Sequence, residues 1–233
     1  MLRAADFALL SVQAALFLSD IKALTQSGFL AAILSRYAAR YDGAVQAIPL
    51  TENVPPEIPR VILQSKDEHW KVQAGLNRVD SFWIATKTPQ ENVDIPKQCI
   101  EVLEHYIQMN QSLPISRLGL VMSRVVEIEN SAQELIDIFC NDTAKAQPLR
   151  RSENFEIHNH KTYSLKQTGY VINSWVRCKT GRMTEPPSRK AVIVEQDINI
   201  LEDPVNVFDL DSTKRFYQEC QDEMSEILSI YFP

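Results

Sequence analysis

The chain has 233 residues, 45% hydrophobic and 23% charged, which supplies a full core and lies far from a disordered composition. Lysine and arginine number 24 against 30 aspartates and glutamates, and the net charge of −6 argues against a broadly basic nucleic-acid or anionic-membrane surface. Only a local basic patch remains open.

From the N-terminus, the apolar run FALLSVQAALFL is too short to span a bilayer. Asp6 before it and Gln13 within it fit a secretory leader poorly, so residues 12–18 read as a first buried strand of a cytoplasmic protein. Leu24, Phe29, Leu30, Ile33, Leu34 and Tyr37 recur at helical spacing, predicting a helix over 22–41 that Asp42-Gly43 stops. A short strand over 44–50 and a proline-rich connector, 53–59, follow. Residues 60–66 and 69–77 then predict a hairpin around Asp67-Glu68, and 79–85, with Phe82 and Trp83, a further strand.

Pro96 suits the first turn of a helix whose apolar stripe is Cys99, Ile100, Leu103, Tyr106 and Ile107. A strand over 117–128 leads to Ser131-Ala132-Gln133-Glu134, which matches a capping box. Three more strands, 155–165, 169–178 and 190–201, precede a last helix capped within 209–212. Phe216, Cys220, Met224, Ile227, Leu228 and Tyr231 mark its buried side. The order is β-α-β-β-β-β, then α-β-α-β-β-β-α. It predicts an α+β fold of two helix-plus-antiparallel-sheet halves, 1–112 and 113–233, sharing a core as two halves or as one compact domain.

Certain segments carry a family resemblance: His69-Trp70-Lys71-Val72-Gln73 with the strand holding Phe82-Trp83, then RLGLVMSRVVEI, then 194–232. In these the chain resembles a sporadically distributed bacterial family of unknown function. Arg117, Gly119, Leu120 and Arg124 fit the family's middle segment, with Ser123 where Asn is usual. Asp197 and Tyr231-Phe232 fit its tail, with Glu195 where the first Asp of an Asp-x-Asp pair would stand. The resemblance implies a shared α+β fold and no activity. The family's patchy distribution associates it with mobile accessory genes, including antiviral defence and toxin–antitoxin loci.

Reaction motifs are missing. There is no GxSxG elbow, no GxGxxG and no GxxxxGK[ST], and the four cysteines form no CxxC pair. Cys99 and Cys220 read as reduced core thiols, no residue is assigned a catalytic role, and no cofactor is predicted. Two constellations remain. His158 and His160 share a face of one strand, and Glu195 and Asp197 share a face of another, a set suited to a divalent metal or to acid–base work if register brings them together. The alternative is the solvated face of an antiparallel sheet. Arg177, Lys179, Arg182, Arg189 and Lys190, with Trp175 among them, form a basic hairpin able to contact single-stranded nucleic acid, or else simply a solvated loop. Further basic residues are Arg36, Arg40, Arg150 and Arg151. By elimination the leading expectation is a non-enzymatic binding or regulatory protein, an accessory, immunity or antitoxin-like component whose partner is another protein. The alternatives are a nucleic-acid-binding or -processing protein and a metal-dependent hydrolase.

Overall fold

The computed structural model describes residues 2–48, 54–86, 94–142, 148–183, 188–201 and 207–233. Nine strands form one antiparallel sheet: β1 (Ala8–Leu18), β2 (Gln46–Ala47), β3 (Val61–Gln64), β4 (Trp70–Ala74), β5 (Arg78–Ile84), β6 (Ile115–Glu127), β7 (Glu156–Ser164), β8 (Val171–Met183) and β9 (Arg189–Ile200). The helices are α1 (Gln26–Tyr37), α2 (Asp94–Met109), α3 (Ser131–Phe139) and α4 (Leu210–Tyr231). The fold is α+β, and the element order matches the one predicted.

The strand order is β2-β3-β4-β5-β1-β6-β9-β8-β7. Its logic is a repeat: a long strand, a helix, a meander and a closing helix run from β1 to α2, then again from β6 to α4. The two leading strands pair at the centre, Ala14 opposite Leu120 and Leu16 opposite Leu118. This position explains why FALLSVQAALFL is so apolar: β1 is flanked by strands on both sides and covered by helices on one face.

Alternation sorts the side chains. Val12, Ala14 and Leu16 of β1, Val79 and Trp83 of β5, Leu118, Leu120 and Met122 of β6, and Ile198 and Ile200 of β9 all enter one core. Phe29, Ile33 and Tyr37 of α1, the stripe of α2, and Phe216, Tyr217, Cys220 and Met224 of α4 complete it. A second cluster joins Val176, Cys178, Val192 and Val194 to Leu135 of α3 and to Leu228 and Phe232. The four helices α1 to α4 therefore lie on one side of the sheet. Cys99 and Cys220 are free and buried, and burial pushes the Cys99 thiol up to about 12.

Polar contacts stitch helices to strands. The Tyr217 hydroxyl donates to the Ala15 carbonyl at 2.7 Å, linking α4 to the first strand. Arg124 lies on the helix side of β6, donates to the Gln196 side-chain Oε1, and is pulled down to about 10 by desolvation. Gln196 in turn donates to the Met224 carbonyl of α4 at 2.8 Å. Arg124, part of the family-like segment, thus has a structural position. His105 Nε2 donates to the Ala32 carbonyl at 3.0 Å and lies 3.2 Å from the Ser35 hydroxyl, and the ring meets Tyr37 edge-on, locking α1 to α2.

Helix starts differ in chemistry. Asp209 caps α4 through the Ser212 amide at 2.8 Å, with Ser212 reciprocating. Asp209→Ala should lower the urea midpoint of unfolding, because the first amides of α4 lose their acceptor. The predicted capping box at Ser131 is corrected: Asn130 holds the cap position, its side chain makes no capping bond, and Ser131 is already the first helical residue. The α2 helix begins at Asp94, so Pro96 sits two residues inside its first turn. No helix among the described residues is long and apolar enough to cross a membrane.

Candidate interaction face

Among the described residues, the sheet face opposite the helices carries no covering element, and its side chains form a belt. Starting on β4, Gln73 reaches Asp80 of β5, whose other oxygen accepts from Gln13 of β1 at 2.9 Å and from the Arg78 Nε at 2.9 Å. Arg78 lies over the Phe17 ring at 4.6 Å, and Arg117 of β6 over the same ring at 5.0 Å. Arg117 donates to the Asn199 side-chain Oδ1 of β9 at 2.7 Å, and the Asn173 side chain of β8 donates to that oxygen at 3.3 Å. His160 of β7 meets the Asn173 carbonyl oxygen at 3.2 Å and stacks on Trp175 at 4.0 Å with rings 10° apart. The chain crosses seven adjacent strands.

This arrangement follows from parity. On β1 the residues between the buried Val12, Ala14 and Leu16 are Gln13, Ala15 and Phe17, which must face the other way. The same rule turns Asn173, Trp175 and Arg177 of β8, and Glu195, Asp197 and Asn199 of β9, to the open side. Planar side chains stacked or forked against each other lose rotamer freedom on folding rather than on binding, so the belt is pre-organised. The Nε donors of Arg117 and Arg177 are buried with no acceptor among the described residues.

No protein-family model matches the chain, and no curated protein matches it. Among solved structures it is similar to Methanococcus jannaschii TBP at 10% identity, with a TM-score of 0.28 over 95% of this chain and 99% of that chain. Overlap that loose carries no argument.

The four candidate metal-binding residues do share the open face, because β7, β8 and β9 are consecutive neighbours. They do not converge. Arg177 stands between His158 and Glu195, and Trp175 between His160 and Asp197, since β8 separates the two strands that carry them. Each polar group has another engagement. His158 bonds Glu156 at 2.6 Å, and Glu195 accepts from Arg177 at 2.7 Å. Asp197 accepts from Asn199 at 3.0 Å. The His158 bond holds the exposed Glu156 carboxyl below its ordinary range. Among the described residues no group of three His, Cys, Asp or Glu is placed to hold a metal ion.

The basic hairpin divides across the sheet. Trp175, Arg177 and Lys179 face the open side, where Arg189 forms an ion pair with Glu127. Arg182 and Lys190, opposite each other in the ladder, face the helix side. Arg40 is occupied elsewhere, lying over Trp70 at 4.4 Å and donating to Gln98 at 3.2 Å. Residues 184–187 at the hairpin tip lie outside the described residues.

Reading the sequence for chemistry missed Gln13, Phe17, Asp80, Arg117, Asn173 and Asn199 as members of one surface. Their signal was present as polar or aromatic residues alternating with apolar ones inside strands. Joining them required the strand order.

Proposed function

We propose that this protein is a non-enzymatic binding or regulatory protein that receives another protein on its open sheet face. The observation that carries this reading is the belt from Gln73 to His160: aromatic rings half exposed, donors and acceptors fixed in place, and two of the cations on this face held by carboxylates. Arg78 is paired with Asp80 and Arg177 with Glu195, so a partner meets mixed hydrogen-bonding groups rather than a free cationic track. Membership of the family of unknown function, and with it an accessory or immunity role at a mobile defence locus, is part of this proposal and rests on the resemblance alone.

The test is affinity purification from the native host with the wild type and with the double variant Trp175→Ala/Arg117→Glu. Loss of a central aromatic and reversal of a central cation should weaken a partner by about thirtyfold or more, a contribution of 2 kcal/mol. A protein enriched on the wild type and lost on the variant supports the reading. Identical partner lists from both proteins would reject it.

Contact with single-stranded nucleic acid is a second reading, favoured by Trp175 with Arg177 and Lys179 on one face. Fluorescence anisotropy with short RNA and DNA across a salt series separates the two. Phosphate-driven binding weakens steeply as salt rises, whereas the mixed belt predicts little affinity for either strand.

A further inference from the structure

The helix side of the sheet runs out at the end of the β8–β9 hairpin, beyond the second core cluster. There Ser131, Glu153, Asn154, Thr180, Arg182 and Lys190 line a cavity of about 270 Å3. We propose that this cavity binds a phosphate group.

Three independent features converge on it. First, Arg182 and Lys190 are directly opposite each other across the strand pair. Like charges in that position repel, and among the described residues neither has an ion-pair partner. Their neighbours differ: Arg177 has Glu195 and Arg189 has Glu127. An anion between Arg182 and Lys190 turns mutual repulsion into two charge-assisted contacts.

Second, the cavity holds the amino end of α3, nine residues long and uncapped by the Asn130 side chain. The first amides of the helix and the positive end of its dipole therefore remain available to an oxyanion. Third, Ser131 is only 3% exposed, lines this cavity, and its hydroxyl makes no hydrogen bond among the described residues. Its hydroxyl is free to donate to a phosphate oxygen placed in the cavity. Glu153 lies on the rim and disfavours anions, so affinity depends on both cations acting together. Thr180 is already used, its hydroxyl accepting from the Phe155 amide at 3.2 Å, which fixes the cavity wall.

The volume accommodates a phosphate with part of its substituent, so the source is a soluble phosphomonoester or a phosphodiester backbone. Calorimetric titrations of the full chain with inorganic phosphate, adenosine 5′-monophosphate and a short single-stranded oligonucleotide, at matched ionic strength, distinguish these. Binding of phosphate and the monophosphate assigns a phosphomonoester; binding of the oligonucleotide alone assigns a backbone. In either case Arg182→Ala/Lys190→Ala should weaken binding about tenfold or more. Ser131→Ala, which leaves both exposed cations and the helix intact, should weaken it several-fold.

If none of the three ligands binds more tightly than chloride at equal ionic strength, the proposal is overturned. Binding that survives the double variant overturns it as well. Because the cavity and the belt lie on opposite sides of the sheet, Trp175→Ala/Arg117→Glu should leave phosphate binding unchanged, and each reading fails or stands by itself.

Discussion

Truncating Phe216 to alanine should lower the stability of the whole chain by about 3–5 kcal/mol. The ring is fully buried near the start of α4, meets Tyr217 edge-on at 5.3 Å, and belongs to the cluster that includes Leu16 of β1 and Leu120 of β6. Removing it opens a cavity that β strands cannot close, because their positions are held by ladder hydrogen bonds on both sides. The location also predicts cooperativity. The core draws on both the 8–109 and the 115–231 segments, so damage in α4 should destabilise residues far away in sequence. Trp70 and Trp83 report on the first segment and Trp175 on the second. Urea unfolding followed in W175F and in W70F/W83F backgrounds should give coincident midpoints that shift together in F216A. Two separate transitions would show that the halves are independent folding units.

Replacing Glu219 with glutamine is expected to lower stability by about 1.5–3 kcal/mol at neutral pH. This carboxylate projects from α4 to the β7–β8 turn, accepting from the Gln167 amide at 2.5 Å, the Thr168 amide at 2.9 Å and the Thr168 hydroxyl at 2.7 Å. Burial by itself raises its proton affinity, but the hydrogen bonds from Gln167 and Thr168 outweigh that and hold it below the ordinary glutamate value. A group with a depressed folded pKa stabilises above its unfolded pKa of about 4.3 and stops doing so as pH falls through the folded value. The gap between wild type and E219Q should therefore be full at pH 7, begin to shrink as pH falls below the unfolded value of about 4.3, and close only once the folded carboxyl is protonated. Urea midpoints at pH 7 and pH 3 measure it, and a gap that does not change with pH would refute the carboxylate's role.

Reading of local chemistry went furthest where one residue dominates. Asp209 was recognisable as a cap because a short acceptor preceding an apolar stripe satisfies orphan amides regardless of what the helix packs against. Ser131 misled for the opposite reason: its spacing to Glu134 fits the motif, yet the chain turns one residue earlier, at Asn130. Helix ends also drifted. Lys22 and Tyr41 bracketed a helix that spans Gln26–Tyr37, since apolar periodicity continues into the flanking turns.

What the amino-acid order decided alone was the sequence of elements, the buried sides of α1, α2 and α4 and the strand residues that alternate between two faces, because these depend on periods of 3.6 and 2 that neighbours in the chain suffice to define. The tertiary structure decided which strands lie beside which. That choice alone inserts β8 between the histidines and the carboxylates, lines up Gln73 through His160 across seven strands, and sets Arg182 against Lys190 beside the amino end of α3. Such relations join residues up to a hundred or more positions apart, and they arise from packing the helices on one side of a sheet whose two leading strands meet at its centre.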